Sequence, residues 1–452
     1  MGWGIYSDNK IPDNDVFWQR YGDIPEKYAS FLYLRVFWSD MEPEEGKYIW
    51  EYDDNFKDLI ATAAEKGLKL CFRVFYDSQD SRRQVTPDYV RQAGAEGYLS
   101  NCGCWSPYPD DPVFLEKLQK FLYAFADRFD DPSIVDVIDA YNLGWWGEGH
   151  HVKLKNPDAL RSVSLAVAGA YANAFDKVLL AINYHVEITE PVLLEIINKY
   201  DFILRHDAFG SQWYGTFEKG FADKYGFPAR PVIAESCYWF VGQDKGQNVS
   251  ESGLDDTERW RNDERIKGME SWRDCYLATY SDAEKAHANT LDLREYREAR
   301  SWVSEAPDLV QAFVLNGGYR FTPVRIRYPR MFKKGSEISI IHEWVNNGFG
   351  MLPSSNSRWG DKYHPAFALM DSQGEIVSIL GCDEHVHPSD WVKGTSYMCE
   401  SNFIAADCPP GKYKLAVAIL DVNTSKPGIN LSVDGVTVVD GWTILGNCRV
   451  LR

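Results

Sequence analysis

The chain has 452 residues, a length that suits two domains. Its 45% hydrophobic content predicts a large core, and no segment is apolar over the roughly 20 residues that cross a bilayer. The formal charge of -18, without a basic stripe, argues against nucleic acid as a partner. Met1 to Tyr6 indicate folded protein, so we expect either a cytoplasmic protein or a secreted or periplasmic one whose leader has been removed.

Short apolar runs alternate with amphipathic helices from residue 30 to about 321, which predicts a parallel sheet of βαβ units. Asp111 and Pro112, for example, supply the N-cap and first residue of one helix. The predicted strands are 4–6, 31–38, 68–76, 134–141, 178–184, 202–204, 231–234 and 309–315. Eight strands covered on both faces predict an α/β fold, a (β/α)8 barrel, which we assign to residues 1–323.

From residue 324 the helical period is replaced by strand-like runs separated by turn residues. The runs are 336–345, 366–369, 413–420, 429–433 and 442–450. This pattern predicts an all-β sandwich over residues 324–452. The nine cysteines are scattered without metal-ligand spacing, which predicts mostly free thiols, with at most one disulfide, and no zinc site.

Two glutamates are the candidate catalytic residues, because the active site of such a barrel lies at the carboxyl ends of its strands. Glu148 and Glu235 are 87 residues apart, about three βα units, so they follow strands four and seven and face each other across the mouth. Glu148 lies among glycines and tryptophans, an apolar setting that suits a proton donor. Glu235, close to Arg205 and His206, suits an ionised nucleophile.

The other strand ends carry polar and aromatic residues that are candidates for binding a saccharide. Each is also a candidate for a structural hydrogen bond or for the core. Candidates for contact with sugar hydroxyls are Arg35, Arg73, Asn142, His185, His206, Asp207 and Asn316, and candidates for stacking on sugar rings are Trp38, Trp145, Trp146, Trp239 and Tyr319. His150 and His151 have no second cluster beside them in the sequence, so we predict no metal and no cofactor.

Two segments resemble known families. Residues 38–50, with Glu42-Pro43 and Gly46 between Trp38 and Trp50, resemble the stretch after strand two of clan A glycoside hydrolases, especially β-galactosidase-like ones. The run Gly-Trp-Trp-Gly-Glu-Gly-His at 144–150 resembles the strand-four motif of a poorly characterised bacterial family that joins such a barrel to a β-sandwich.

The resemblance implies a retaining hydrolase with acid/base Glu148 and nucleophile Glu235, and a structural Glu42. It departs from clan A at Gly147, where most members have an asparagine that binds the sugar 2-hydroxyl. We therefore predict a glycosidase that cleaves a β-linked oligo- or polysaccharide. The alternatives are a glycan-binding protein on a degenerate barrel and a structural protein. The sugar, the choice of exo or endo action and the oligomeric state stay open.

Overall fold

The computed structural model describes residues 1–79, 81, 83–100, 102–140, 143–211, 214–236, 239–240, 253–254, 269, 271–405 and 409–452. The chain divides into two units, residues 1–317 and residues 318–452. Within the described ranges, no helix combines the length and the apolar character needed to cross a membrane.

Eight parallel strands close the barrel of the first unit, in the order β1-β8-β7-β6-β5-β4-β3-β2. They are β1 (Trp3–Asp8), β2 (Ala29–Phe37), β3 (Lys69–Phe75), β4 (Val135–Asp139), β5 (Leu179–Asn183), β6 (Ile203–Phe209), β7 (Val232–Ser236) and β8 (Ala288–Asp292). The predicted barrel is confirmed. The prediction for the eighth strand is wrong, because residues 309–315 lie inside a helix, Pro307–Asn316.

The helices of this unit surround the barrel. They are Asn14–Tyr21, Ile24–Tyr28, Trp38–Met41, Ile49–Tyr52, Asp54–Glu65, Asp88–Gln92, Pro112–Phe129, Leu160–Ala174, Glu190–Tyr200, Thr216–Tyr225, Trp272–Lys285, Tyr296–Glu305 and Pro307–Asn316. In Pro112–Phe129 the Asp111 carboxylate accepts from the amides of Val113 and Phe114, as an N-cap does. Its buried face packs on the barrel, for example through Phe125 and Phe129 against Phe72 of β3.

Short strand pairs lie in the loops. Gly97–Leu99 pairs with Trp105–Pro107 after β3, and Trp239–Phe240 pairs with Gly253–Leu254 after β7. Asn142 lies outside the described residues, and so does the side chain of Trp239.

The second unit is an all-β sandwich. Its strands are β9 (Phe321–Arg327), β10 (Met331–Lys333), β11 (Glu337–Asn346), β12 (Tyr363–Met370), β13 (Ile376–Cys382), β14 (Ser396–Ile404), β15 (Gly411–Asp421), β16 (Lys426–Ile429), β17 (Val438–Val439) and β18 (Trp442–Leu451). One sheet has the order β9-β11-β14. The other has the order β10-β18-β15-β12-β13, with β16 on β15 and β17 on β18. Phe367 of β12 contacts His342 of β11 and Phe403 of β14, so the two sheets share a core.

Candidate active site

Three arginines and one asparagine form two in-register pairs close to the carboxyl ends of the barrel strands. Arg35 of β2 is the register partner of Arg73 of β3, and Asn183 of β5 is that of Arg205 of β6. In a parallel barrel, residues in register across neighbouring strands stand side by side. The sequence therefore places three guanidiniums and one amide side chain around the mouth of the barrel.

Arg73 and Arg205 form the floor of the mouth, and each is only 1% exposed. Arg73 Nε donates to Asp139 Oδ2 at 2.7 Å, and Arg205 Nη1 donates to Asn183 Oδ1 at 2.9 Å. The Tyr33 hydroxyl also donates to Asp139 Oδ2, at 2.9 Å. Buried charges persist only when they are paired and hydrogen-bonded, so this network fixes both guanidiniums in place.

Glu235, in β7, is held by guanidiniums on both carboxylate oxygens. Its Oε2 accepts from Arg73 Nη2 at 3.0 Å and from Arg205 Nη2, while its Oε1 accepts from Arg294 Nη1 at 3.0 Å and from the Tyr6 hydroxyl at 3.3 Å. Burial by itself raises the pKa of Glu235. The nearby guanidinium charges outweigh burial and lower that pKa to about 2. Glu235 is therefore a carboxylate at neutral pH.

Glu148 shares two of these arginines. Its Oε1 accepts from Arg73 Nη1 and from Arg205 Nη2 at 3.3 Å, and Arg35 Nη2 lies 4.0 Å away. The prediction of an apolar setting for Glu148 is wrong, because the neighbouring glycines and tryptophans leave its carboxylate turned inward to the guanidiniums. Its other oxygen, Oε2, lies 3.7 Å from His150 Nε2.

The two glutamates are close together, because Arg205 Nη2 donates to both of them. Two oxygens that share one donor lie no further apart than two hydrogen-bond lengths, roughly 6 Å. Both side chains are buried, each residue being 4% exposed. The arrangement is therefore a pair of adjacent carboxylates on a cationic floor.

The loop that carries Glu148 is closed by its own backbone hydrogen bonds. Trp145 N donates to His150 O at 2.9 Å, and Gly149 N donates to Leu143 O at 2.8 Å. Gly144 has a φ of +70°, and a Cβ there would lie 2.2 Å from His150 O, so the loop needs glycine at this position. Asn183 Nδ2 donates to the carbonyl of Glu148, which ties the loop to β5.

The predicted histidines and Asp207 lie together on the β5–β6 side of the mouth. The His150 and His185 rings are 4.1 Å apart, and burial followed by the charge of His150 lowers the pKa of His185 to about 3. Burial also lowers the pKa of His206. The His206 ring packs on Tyr184, and its Nδ1 forms a hydrogen bond with the carbonyl oxygen of Asp207. His206 therefore does not serve Glu235 in the way the sequence suggested, whereas Arg205 does.

The predicted aromatic and amide residues divide into two groups. Trp145 and Trp146 are half-buried beside Glu148, and the Arg35 guanidinium lies 5.9 Å from the Trp146 ring. Trp38 is wholly buried in the core, because it opens the helix Trp38–Met41 and packs on Phe121. A sugar-stacking role for Trp38 is therefore wrong.

The last two candidates, Asn316 and Tyr319, do not lie at strand ends of the barrel. Asn316 ends the helix Pro307–Asn316 and donates to Ala312 O at 2.9 Å, so it is not at a strand end. Tyr319 belongs to the second unit, where it stacks on Phe321 with ring centroids 5.4 Å apart.

Some residues of the site were not predicted from the sequence. Tyr6, Asp139, Asn183 and Arg294 all contact the glutamates or the floor. Arg294 follows β8 by two residues, so a correct eighth strand would have identified it. Glu42, predicted to be structural, accepts from Trp38 Nε1 at 3.0 Å and from Gly46 N at 2.9 Å, as a loop brace does.

Three groups of side chains in the described part of the chain bring possible metal donors within 4.8 Å of one another. They are Glu148, His150 and Asp207; His150, His185 and Glu187; and, in the sandwich, Asp361, His364 and His387. Several donors already have partners. His185 Nδ1 accepts from Glu187 N at 3.3 Å, and both ring nitrogens of His364 face backbone carbonyls, at 2.9 and 2.6 Å. In the first group, Glu148 Oε1 and Asp207 Oδ1 accept from Arg205 at 3.3 and 3.4 Å, so each of the three groups contains donors that already have protein partners.

No protein-family model matches the sequence, and no curated protein matches it. Solved structures similar to this chain include an endo-glycoceramidase II from Rhodococcus sp. in complex with an iminocyclitol, at 14% identity over 90% of this chain and 97% of its own, with a TM-score of 0.39. A broad-specificity GH5-4 endoglucanase from an uncultured bacterium is 11% identical over 70% of this chain and 93% of its own, with a TM-score of 0.43. Both are glycosidases.

Proposed function

We propose that the chain is a retaining glycoside hydrolase acting on a β-linked oligo- or polysaccharide. The observation that carries this proposal is the pair of glutamates at the mouth, whose nearest oxygens share one guanidinium nitrogen and so lie within roughly 6 Å. Retaining glycosidases need carboxyl groups roughly 5–5.5 Å apart, whereas inverting ones need about 6.5–9.5 Å to admit a water molecule. The Arg205 nitrogen that donates to both glutamates favours the shorter separation, that of retaining glycosidases.

The two glutamates have different surroundings, as the two roles require. Glu235 has a lowered pKa and four donors on its carboxylate, so it is the nucleophile that attacks the anomeric carbon. Glu148 is the acid/base residue. Because its Oε1 accepts from two guanidiniums, the proton that it gives to the leaving oxygen must be on Oε2.

The reaction then runs in two steps. In the first, the bond from the anomeric carbon to the leaving oxygen breaks as Glu235 forms an ester and Oε2 of Glu148 protonates that oxygen. In the second, Glu148 takes a proton from water, the water oxygen bonds to the anomeric carbon, and the ester to Glu235 breaks. Trp145 and Trp146 are half-buried beside Glu148 and offer faces on which a sugar ring can stack.

Two observations favour a second candidate, a glycan-binding protein without turnover. Gly147 stands where most clan A enzymes have the asparagine that binds the 2-hydroxyl, and Oε1 of Glu148 is already engaged by arginines. Such a protein would bind saccharides at the same mouth and would release no product.

Covalent trapping tests the proposal. The full chain is incubated with 2,4-dinitrophenyl 2-deoxy-2-fluoro-β-glycosides of several hexoses, and intact mass and peptide mapping are recorded. We expect one fluoroglycosyl adduct on the peptide that contains Glu235. Glu235→Gln should remove the adduct and the turnover while saccharide binding remains.

The matched control is Glu195→Gln, which removes a surface ion pair with Arg161 and should leave labelling unchanged. A label on another residue would refute the role of Glu235. Saccharide binding with neither label nor product would favour the second candidate. Turnover that releases the inverted anomer, as read by NMR, would refute retention.

A further inference from the structure

His150 lies between two carboxylates at the edge of the site. Its Nε2 is 3.7 Å from Glu148 Oε2 and 3.9 Å from Asp207 Oδ2. The ring is packed between His185, 4.1 Å away, and Trp146, 5.9 Å away. The side chain is 25% exposed, so His150 reaches both the site and the solvent.

Glu148 has one oxygen that can carry a proton, and His150 faces that oxygen. Oε1 accepts from Arg73 and Arg205, which leaves Oε2 for acid/base work. An imidazole nitrogen 3.7 Å from Oε2 needs only a small shift to reach hydrogen-bond distance. We propose that His150 is a positioning residue that supplies Glu148 with the proton for the leaving group and recovers it after hydrolysis. This inference rests on the proposed function.

The proton balance follows the two steps. The proton on His150 Nε2 moves to Oε2 of Glu148 and then to the leaving oxygen as the glycosidic bond breaks. In the second step Oε2 takes a proton from the attacking water as the ester to Glu235 breaks, and passes it back to Nε2. His150 ends the cycle as it began, and no other reactant is needed.

The charges around His150 agree with this role. Glu148 faces it from the same loop, Asp207 from the end of β6, and His185 and Glu187 from the segment after β5. Burial by itself lowers the pKa of His150, but the Asp207 carboxylate, 3.9 Å from Nε2, together with the charges of Glu148 and Glu187, raises that pKa from its ordinary value of 6.5. The surrounding carboxylates thus favour the protonated form of the imidazole beside Oε2.

The first test needs no substrate. The full chain carrying ¹⁵N-labelled histidine is titrated by NMR, with the His150 signal assigned by its loss in His150→Asn. We expect His150 to titrate above pH 6.5, and to titrate at lower pH in Glu148→Gln. An unchanged titration in Glu148→Gln, or one at or below pH 6.5 in the wild type, would overturn the proposal.

The second test uses leaving groups. His150→Asn should lower kcat/KM about 100-fold for phenyl β-glycosides, the scale of general acid catalysis, and by less than about 3-fold for 2,4-dinitrophenyl β-glycosides, which leave without a proton. His151→Asn is the matched control. His151 is exposed and has a φ of +48°, a conformation that asparagine tolerates.

Equal losses on both leaving groups, or no loss, would overturn the proposal. If the wild type hydrolyses no glycoside at all, it is the proposed function that fails, and the NMR titration still shows whether His150 and Glu148 are coupled.

Discussion

Replacing Asp292 by asparagine should stabilise the protein at neutral pH. Asp292 ends β8 and is 2% exposed. Its Oδ1 accepts from Ser236 N at 2.8 Å, while its Oδ2 has no hydrogen-bond partner among the described residues. Burial, and next the charge of Glu235, raise the pKa of Asp292 to about 7, although Arg294 acts in the opposite direction. An asparagine keeps the acceptor for Ser236 and cannot ionise.

The size of the effect follows from linkage. The pKa of Asp292 is about 7 in the folded chain and 3.8 as the unperturbed value. A difference of about three units, at about 1.36 kcal/mol each, corresponds to about 4 kcal/mol. Because the folded pKa is raised, this stability is fully present below pH 3.8, is lost as the pH rises toward 7, and changes little above it. The free energy of unfolding of Asp292→Asn should therefore exceed that of the wild type by a growing margin as the pH rises from 3.8 to about 7.

Urea unfolding between pH 4 and pH 8, followed by near-ultraviolet circular dichroism, measures this difference. We expect the free energies of unfolding of Asp292→Asn and wild type to diverge by about 4 kcal/mol from the low to the high end of the range. Asp127→Asn, a change at an exposed position of the helix Pro112–Phe129, is the control and should follow the wild type. Parallel curves for Asp292→Asn and wild type would refute the reasoning.

Three other predictions concern the mouth and the core. The lowered pKa of Glu235 implies that its carboxylate is protonated only at about pH 2. If kcat/KM falls on acidification before pH 4 is reached, while circular dichroism shows a folded chain, the role of Glu235 is contradicted. Arg294→Met removes a donor from Glu235 Oε1, so we expect the acid limb of the pH–rate profile to move up by about one unit; an unmoved limb would argue against the contact. Trp38→Ala should lower the free energy of unfolding by about 3–5 kcal/mol in urea melts without changing KM. Trp146→Ala should raise KM with little effect on stability. The reverse pattern would assign the core role to Trp146 and the sugar-stacking role to Trp38.

The sequence predicts most of the barrel because seven of its strands are rich in buried apolar residues. β8 does not show this pattern, because three of the residues in Ala288–Asp292 are polar although they are buried. They are Asn289, Thr290 and Asp292. The apolar run at 309–315 belongs instead to a helix that begins at Pro307, in which Leu309, Val310 and Phe313 are buried at helical spacing. A short apolar run does not distinguish a buried strand from a helix face, and here the N-terminal proline was the better signal.

The pair of glutamates was predictable because strand ends in a barrel converge on one mouth. The environment of Glu148 was not, because neighbours in sequence are not neighbours in space. Its carboxylate meets Arg73 and Arg205, which lie 75 and 57 residues away along the chain. Arg294 was missed with β8. The direction in which Trp38 points depends on the short helix that it begins, and the local sequence does not specify that helix.

The Glu148 loop has a consequence for protein engineering. Residues 143–151 close on themselves through Trp145 N to His150 O and Gly149 N to Leu143 O, with glycines at the tight positions. The barrel holds this loop in place through Asn183 Nδ2, which donates to the Glu148 carbonyl, and through Asp77 O, which accepts from Trp146 N at 2.9 Å. A transplant of these nine residues to another eight-stranded barrel would therefore need an amide at the position of Asn183 and guanidiniums at those of Arg73 and Arg205.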